Sequence, residues 1–376
     1  MAEVKILHCA DLHIGALENF LGARAATRKI ETLMTFEGIV KLALENNVQI
    51  VLIAGDLLDS NGIDSVFAER ILASIARANT IKFVYAAGNH DPLGLDSPFI
   101  ASNLPKNLYV LPTNDSYFEF PEFKVRVYGK SFGSIYQKGA PAFSLKTDDS
   151  FINLMCLHGE ITYNTDCDYA AITQYFIESS GMDYIALGHI HKRSAVEKVG
   201  SVYFSYCGCA EGQGFDELGP KGVYMGTVSK GLCNLKFVPT AKRLHLLEKI
   251  DVSECISSDD MVKEILRVLS EKYKDSYTEN LYKIVLVGAI SETTVVSVAE
   301  ITARLNETLY FAKVKNQTEP KIDLDALKQE KTLKGIFVNK MLEKIENANT
   351  DEKEILNNAL MLGLKAFKTE VSFDEN

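Results

Sequence analysis

Two stretches decide how this chain folds: residues 4–13, VKILHCADLH, and residues 50–59, IVLIAGDLLD. Each begins with a short, continuous apolar run, which is typical of a strand covered on both faces. Each then enters a turn that carries an aspartate. In three further stretches an apolar run leads into a turn that carries histidine, at 81–91 (IKFVYAAGNHD), 152–160 (INLMCLHGE) and 184–191 (YIALGHIH). The sequence therefore predicts five strands that end in polar loops.

The regions around these runs predict the layers of the fold. Apolar residues recur at helical spacing over 24–45 and 65–78, and a third helix is predicted over 169–179. Alternating strands and helices favour α/β layering. Short β-rich runs within 117–130 and 194–239 are separated by glycine-containing turns and look antiparallel. We expect an α/β (α+β) fold with two packed mixed β-sheets flanked by helices.

The pattern changes again near residue 240, and the sequence predicts three segments. Residues 1–240 would form the main domain, 241–320 a smaller C-terminal α+β cap, and 321–376 a set of C-terminal helices. The helices predicted over 332–347 and 351–367 have strong apolar periodicity. Their apolar faces must pack on this chain or on a partner.

Composition sets limits on function. The chain has 376 residues, of which 47% are hydrophobic and 24% are charged, and this composition excludes a disordered or fibrous protein. Fifty acidic residues against forty basic ones give a net charge of −10. A protein that binds DNA by phosphate neutralisation alone is normally basic, so a histone-like binder is excluded. A nuclease is not excluded, because metal ions supply positive charge locally.

Cysteine usage and hydropathy predict the compartment. The seven cysteines are an odd number, and none is arranged as CxxC. The first residues do not read as a signal peptide, and no run of 18 apolar residues is present. These features predict a reduced, cytoplasmic protein without a membrane span. Cys207-Gly208-Cys209 could bind a soft metal, but two buried small hydrophobic side chains are the preferred interpretation.

Most histidines of the chain lie at the predicted strand ends, where open α/β sheets build their sites. The six are His8, His13, His90, His158, His189 and His191. Asp11, Asp56 and Asn89 lie at the ends of the first three of these strands. Mixed imidazole and oxygen ligands favour Mn, Fe or Zn over Mg or Ca. The number of side chains suits two cations with one bridging aspartate, a centre that promotes in-line displacement at phosphorus.

The order DLH, GDLLD, GNHD, HGE and GHIH resembles the calcineurin-like metallophosphoesterases, and all five blocks match between residues 4 and 239. ILHCADLHIG, LIAGDLLD and ALGHIHKR are similar to the DNA-repair exonuclease branch, the SbcD- and YhaO-type bacterial nucleases. The segment 208–222, which ends in GFDELGPKG, is most similar to the YhaO type. The resemblance implies the calcineurin-like phosphoesterase sandwich and makes 1–240 the catalytic domain.

The resemblance also implies a metal-binding role for seven side chains. They are Asp11, His13, Asp56, Asn89, His158, His189 and His191. Asp11, His13 and His191 would bind the first metal. Asn89, His158 and His189 would bind the second metal, and Asp56 would bridge the two.

Other residues are expected next to the metals. His90 would protonate or stabilise the leaving oxygen, and Asp91 would be the carboxylate that orients it. Asp59 would have a similar supporting role. Arg193 is a candidate contact for substrate phosphate, although a solvated turn fits its position equally well. His8 is expected to be packed or to support a ligand.

Three further residues near the motifs could have either a functional or a structural role. Tyr163 and Phe132 could stack on nucleobases, although such residues more often serve packing. Glu160 is expected to be a loop residue.

The implied function is a two-metal phosphodiesterase that acts as a DNA exonuclease or endonuclease in DNA repair. A metal-bridged hydroxide would attack the phosphodiester, and His90 would assist the leaving group. Mn is the metal expected first, with Fe or Zn as alternatives. The implied partners are DNA, an SMC-like ABC ATPase of the SbcC/YhaN type docked on the C-terminal helices, and a second copy of the chain. Two alternatives stay open: a small-molecule (cyclic nucleotide) phosphodiesterase or phosphatase, and a non-catalytic metal-binding scaffold.

Overall fold

The computed structural model describes residues 2–139, 143, 146–164, 166–291 and 293–367. Among these residues the strands are β1 (Glu3–Cys9), β2 (Ile50–Ala54), β3 (Lys82–Ala86), β4 (Leu108–Val110), β5 (Ser116–Phe120), β6 (Val125–Gly129), β7 (Ile152–His158), β8 (Glu160–Ile161), β9 (Ala171–Ile172), β10 (Tyr184–Gly188), β11 (Glu197–Val199), β12 (Val202–Tyr206), β13 (Gly222–Ser229), β14 (Leu232–Pro239), β15 (His245–Asp251), β16 (Leu281–Val287), β17 (Ala289–Ile290), β18 (Phe311–Asn316) and β19 (Glu319–Pro320).

The α-helices in the same part of the chain are α1 (Ala25–Glu45), α2 (Ser65–Arg77), α3 (Gln174–Ser179), α4 (Ser258–Tyr273), α5 (Val298–Thr308), α6 (Leu324–Gln329), α7 (Leu333–Glu346) and α8 (Thr350–Ala366). Short 3-10 helices occupy Asn19–Arg24, Pro98–Ile100 and Lys274–Thr278. None of the described helices is long and apolar enough to cross a bilayer.

The strands form two six-stranded mixed sheets. The first has the order β14-β13-β1-β2-β3-β4, in which β1 to β4 are parallel, β13 is antiparallel to β1, and β14 is antiparallel to β13. The second has the order β11-β12-β10-β7-β6-β5, with four parallel central strands and antiparallel outer strands. Parallel strands end at the same edge, so each sheet gathers the loops that follow its central strands.

Side chains along the central strands point alternately to the two faces of each sheet, and this alternation produces the layers of the fold. In β2, Ile50, Leu52 and Ala54 belong to the apolar core between the two sheets. Val51 and Ile53 point the other way and pack with α1 and α2. On the second sheet, α3 covers the outer face through Ile177. The order of layers is helix, sheet, sheet, helix, which confirms the predicted fold class.

One expectation about secondary structure was confirmed and one was wrong. The β-rich runs within 117–130 and 194–239 form antiparallel pairs, β5 with β6, β11 with β12 and β13 with β14. Strands β6 and β12 also pair in parallel with β7 and β10, which are more distant in sequence, so the local turns did not reveal these contacts. The helix predicted over 169–179 begins only at Gln174, where Thr173 Oγ1 accepts a hydrogen bond from Phe176 N at 3.1 Å. Ala171–Ile172 instead pairs with β8.

Beyond β14, strands β15, β16 and β18 form a three-stranded sheet, and β17 pairs with β19. The chain divides into two compact units. The first comprises Met1–Glu248, Leu269–Ile284 and Thr302–Lys313, and the second comprises Lys249–Val268, Val285–Ile301 and Val314–Asn376. Within the second unit, α6, α7 and α8 share a small apolar core formed by Leu327, Val338, Leu360 and Leu364. The three segments expected from the sequence stay a prediction.

His8 lies between the two sheets as a fully buried, neutral side chain. Its Nε2–H donates to Leu187 O at 3.2 Å, and its Nδ1 accepts from Tyr184 Oη at 2.8 Å. Burial lowers the pKa of His8 from 6.5 to about 3, although the hydrogen bond to Leu187 O opposes this shift. The ring therefore packs within the core and stays neutral at physiological pH.

The lowered pKa of His8 predicts a pH-dependent stability. The unfolded chain binds a proton near pH 6.5 and the folded chain does not, so this stabilisation is complete above pH 6.5 and is lost as the pH falls. The loss should be about 1.4 kcal/mol per pH unit below that value. Denaturant unfolding of wild type and His8→Gln should show a difference in unfolding free energy that shrinks by about 2 kcal/mol between about pH 7 and about pH 5. Parallel pH curves would contradict this role.

Candidate metal centre

The loops after five parallel strands bring the predicted ligands together. Asp11 and His13 follow β1, Asp56 follows β2 and Asn89 follows β3 in the first sheet. In the second sheet, His158 ends β7, and His189 and His191 follow β10. The two edges meet where His158 Nδ1 donates to Ala54 O at 2.9 Å. Residues far apart in sequence therefore form one cluster.

Asp11, His13 and His191 form the first group of candidate ligands, with their ligand atoms within 4.8 Å of one another. His13 Nε2 lies 3.0 Å from His191 Nε2. Two imidazole nitrogens at this distance need a shared hydrogen or a shared cation between their lone pairs. The buried Asp11 carboxylate accepts hydrogen bonds from His189 N at 2.9 and 3.1 Å. This group fits a cation bound by two imidazoles and one carboxylate.

The second group surrounds His158. Its Nδ1–H is already used by Ala54 O, so Nε2 faces Asn89 Oδ1 at 2.9 Å and Asp56 Oδ2 at 3.3 Å. Both oxygens are acceptors, so the nitrogen between them needs a proton or a cation. Burial alone would lower the pKa of His158, but the charge of Asp56 and the hydrogen bond to it raise the pKa to about 9. The position attracts positive charge, as a metal site must.

Asp56 belongs to both groups. Its Oδ2 lies 3.8 Å from His13 Nε2 and 3.3 Å from His158 Nε2, and its side chain is only 2% exposed. Burial alone would raise the pKa of Asp56, but the charge of His158 and the hydrogen bond to it, with the charge of His13, lower it. Asp56 is therefore an ionised carboxylate placed between the two sets of imidazoles.

His189 is the remaining predicted ligand, and it joins the cluster through its backbone and ring. Its ring centroid lies 5.2 Å from that of His158 and 4.8 Å from that of Tyr169. Burial, together with the charge of His158, lowers the pKa of His189 to about 4. The neutral ring is the form that binds metals.

The backbone at the site has several unusual φ values and close approaches, and these explain why the motifs contain glycine. Four predicted ligands have left-handed φ values, a conformation that costs about 1–3 kcal/mol and is concentrated at functional sites: Asp11 (50°), His13 (45°), Asp56 (49°) and His189 (102°). Gly55 has φ of 89°, and a Cβ there would lie 2.2 Å from His158 Nδ1. At Gly188 a Cβ would lie 1.8 Å from Ala54 O. Close approach of the two sheets therefore requires glycine in these GD and GH pairs.

His90 lies at the open side of the cluster, with 45% of its side chain exposed. Its backbone N donates to Asp56 Oδ1 at 2.9 Å, and its ring centroid lies 4.5 Å from that of His13. The ring Nδ1–H donates to Asp59 O at 3.1 Å. The Nε2 atom remains available for a substrate oxygen.

Asp91 has a different role from the one expected. Its buried carboxylate accepts hydrogen bonds from Asp56 N at 3.2 Å, Leu58 N at 2.9 Å and Gly88 N at 2.9 Å. It therefore fixes the loops after β2 and β3 instead of the His90 ring. The carboxylate beside that ring is Asp59, whose Oδ1 lies 3.9 Å from His90 Nδ1.

The predicted substrate contacts are placed less centrally. The Arg193 guanidinium stacks over the Phe237 ring at 4.1 Å, which gives it a packing partner on β14. Phe132 is buried, with its ring centroid 5.6 Å from that of His158, so it serves packing. Tyr163 is 90% exposed. Glu160 is a half-buried residue of β8.

Sequence reasoning missed Glu217, whose carboxylate is hydrogen-bonded to His191 Nδ1. Its other oxygen accepts from Gln213 N at 2.8 Å. Burial alone would raise the pKa of Glu217, but the hydrogen bonds from His191 and Gln213 lower it to about 2. The available signal was the segment GFDELGPKG, but nothing in it linked Glu217 to a histidine 26 residues earlier.

Comparison with known proteins agrees with this site. The profile of the family described as calcineurin-like phosphoesterase matches residues 4–193. The uncharacterized metallophosphoesterase YhaO of Bacillus subtilis (strain 168) is 26% identical over 68% of this chain and 64% of that protein. This chain therefore aligns with slightly less than two thirds of that relative.

A second relative aligns over a longer stretch. The DNA double-strand break repair protein Mre11 of Saccharolobus solfataricus is 22% identical over 94% of this chain and 93% of that protein. The crystal structure of the calcineurin-like phosphoesterase YfkN from Bacillus subtilis has a TM-score of 0.34 and 14% identity, covering 63% of this chain and 89% of that chain. The profile match spans half of the sequence and includes every block of the metal centre, so this chain belongs to the calcineurin-like phosphoesterase family of metal-dependent hydrolases.

Proposed function

We propose that this chain is a two-metal phosphodiesterase that cleaves DNA as an exonuclease or endonuclease in DNA repair. The observation that carries the proposal is the position of Asp56 between two ligand groups, with one carboxylate oxygen 3.8 Å from His13 Nε2 and 3.3 Å from His158 Nε2. Such a carboxylate suits a bridge between two cations. Asp11, His13 and His191 would hold one cation, and Asn89, His158 and His189 the other.

Two divalent cations held there would act as Lewis acids on phosphate oxygens and lower the pKa of water enough to provide hydroxide near neutral pH. The chain supplies the remaining functions. Asp91 fixes the loops that carry Asp56 and Asn89. With its Nδ1–H held by Asp59 O, a His90 ring protonated on both nitrogens would present Nε2–H to the leaving oxygen, give it that proton and remain as the neutral imidazole. The mixture of imidazole and oxygen ligands favours Mn, with Fe or Zn as alternatives.

The choice of DNA as substrate has support from the relatives. The Saccharolobus relative is named as a DNA double-strand break repair protein, and it aligns over nearly all of this chain.

An SMC-like ABC ATPase is the proposed partner, docked on α7 and α8. These helices expose apolar side chains, since Leu333 is 72% exposed, Ile336 53% and Ile355 68%. A second copy of the chain is the other proposed partner.

A column of aromatic rings offers a place for a nucleobase beside the scissile phosphate. Tyr169 lies 4.8 Å from His189, and Tyr136 lies 6.1 Å from Tyr169, between ring centroids. Tyr136 is 58% exposed at the outer end of the column. Tyrosine rings with an open face are the usual stacking surfaces for single-stranded nucleic acid.

Replacing Tyr136 by alanine should raise the KM for single-stranded DNA about 5- to 150-fold, because base stacking contributes about 1–3 kcal/mol. Hydrolysis of bis-(p-nitrophenyl) phosphate should not change, since this substrate has no nucleobase. Tyr136→Phe should behave as wild type, and Tyr175→Ala, at an exposed tyrosine of α3, is the matched control. An equal loss on both substrates would argue against stacking.

The substrate class is tested by one purified protein on three substrates with Mn²⁺. We expect cleavage of end-labelled linear DNA and of bis-(p-nitrophenyl) phosphate, with little release of phosphate from a phosphomonoester. Cleavage of the phosphomonoester alone would favour a phosphatase. Cleavage of cyclic nucleotides but not DNA, with or without the ATPase partner, would favour a small-molecule phosphodiesterase. No hydrolysis of any substrate would favour a scaffold.

A further inference from the structure

Glu217 controls which nitrogen of His191 carries the hydrogen. A carboxylate at this position can only accept a hydrogen bond, so the shared hydrogen belongs to His191 Nδ1. The Nε2 lone pair of the same ring is thereby directed toward His13 Nε2, 3.0 Å away, in the first ligand group. The geometry therefore prepares the ring to bind a cation through Nε2.

Cys209 completes a hydrogen-bonded group around Glu217. Its Sγ lies 3.6 Å from Glu217 Oε2 and 3.6 Å from His191 O. The ligand atoms of His191, Cys209 and Glu217 are close enough to hold a metal themselves. Burial and the charge of Glu217 raise the pKa of the Cys209 thiol, so it stays protonated and donates a hydrogen bond. The thiol of Cys209 and the backbone N–H of Gln213 therefore both hold the Glu217 oxygen that does not face His191.

The loop that carries Glu217 is fixed at its base by a buried charge cluster. Arg28 is 1% exposed, and its Nη2 donates to Glu211 Oε2 at 2.7 Å and to Gly212 O at 3.0 Å. Glu211 Oε1 also accepts from Thr35 Oγ1 at 2.5 Å. A Cβ at Gly212 would lie 2.9 Å from His245 Nδ1. The start of the loop therefore has little freedom, and Gln213 N holds the Glu217 carboxylate in place.

We propose that Glu217 is a positioning residue that fixes the tautomer and orientation of His191 and so sets the affinity of the first metal position. The inference rests on the proposed two-metal function. Loss of a hydrogen bond that a ligating histidine donates to a carboxylate typically weakens metal affinity about 10- to 100-fold. Glu217→Gln keeps the size of the side chain but can donate to Nδ1, which favours the wrong tautomer.

The test is calorimetric titration of the metal-free full chain with MnCl₂. Wild type should bind two Mn²⁺ ions. Glu217→Gln and Glu217→Ala should bind one of the two about 10- to 100-fold more weakly and the other with nearly unchanged affinity. Asp216→Asn, at the neighbouring exposed carboxylate, should bind both as wild type does. Two sites of wild-type affinity in Glu217→Gln would overturn the inference while leaving the proposed function intact.

Two further measurements separate positioning from a structural effect. The metal-free Tm of Glu217→Gln should stay close to that of wild type, and its kcat on bis-(p-nitrophenyl) phosphate should recover at high Mn²⁺, so that only the Mn²⁺ requirement increases. A lowered Tm with equal weakening of both sites would show a structural role and overturn the inference. Failure of wild type to bind two ions would instead overturn the proposed function on which it rests.

Discussion

Asp56→Asn should lower Mn-dependent phosphodiester hydrolysis by about 10³-fold or more. The substitution removes the negative charge between the two ligand groups while keeping the oxygen that accepts from His90 N. Metal ions stabilise the transition state of phosphoryl transfer by several kcal/mol, and a loss of about 4 kcal/mol corresponds to about 10³ in rate. The measurement is the kcat/KM for bis-(p-nitrophenyl) phosphate and for linear DNA at saturating Mn²⁺.

The fold of Asp56→Asn should remain intact. The Asp91 carboxylate still holds residue 56 through its backbone N, and the surrounding core does not change. Circular dichroism and Tm check this point, and Asp216→Asn serves as an active control at an exposed carboxylate. Asp56→Ala is the more severe variant and should also be inactive. Cleavage at the wild-type rate in either variant at residue 56 would show that Asp56 does not hold the metals.

His90→Ala should lower the rate of DNA cleavage about 10²- to 10⁴-fold without removing metal binding. The ring is 45% exposed and outside the buried part of the cluster, so its loss should change stability by less than about 0.5 kcal/mol. Calorimetry should still detect two Mn²⁺ ions.

The leaving group distinguishes a proton donor from a residue with another role. A nitrophenolate leaves without a proton, whereas the alkoxide of a DNA strand needs one. The loss of rate in His90→Ala should therefore be much smaller on bis-(p-nitrophenyl) phosphate than on DNA. Equal losses on both substrates would contradict the assignment of His90 as the group that protonates the leaving oxygen.

Much of the fold was predictable from apolar patterns, because buried strands and amphipathic helices are strong local signals. Helices α1 and α2, at Ala25–Glu45 and Ser65–Arg77, lie within one residue of the ranges 24–45 and 65–78 that the sequence indicated. The parallel pairing of β6 with β7 and of β12 with β10 was not predictable, since parallel neighbours are joined by long connections. The short strand at Ala171–Ile172 was also missed, because two residues carry no periodic pattern.

The candidate ligands were recognisable because each lies at the end of an apolar strand, within one of the motifs DLH, GDLLD, GNHD, HGE and GHIH. The structure brings Asp11, His13, Asp56 and the others to one edge, but sequence spacing could not reveal which side chains support them. Asp91 was assigned to its neighbour His90, whereas its carboxylate accepts hydrogen bonds from backbone N–H groups of its own loop and of the loop after β2. Glu217 was not assigned at all, because its contact with His191 depends on how a glycine-rich loop is anchored by Arg28.

The bridged metal centre can be tested most directly by the anomalous diffraction of crystals grown with MnCl₂. We expect two Mn²⁺ peaks about 3.5–4 Å apart, as in other two-metal phosphoesterase centres. Asp56 should contact both peaks, with His13 on one side and His158 on the other. A single peak, or two peaks that do not share Asp56, would contradict the claim that this chain builds a bridged two-metal centre.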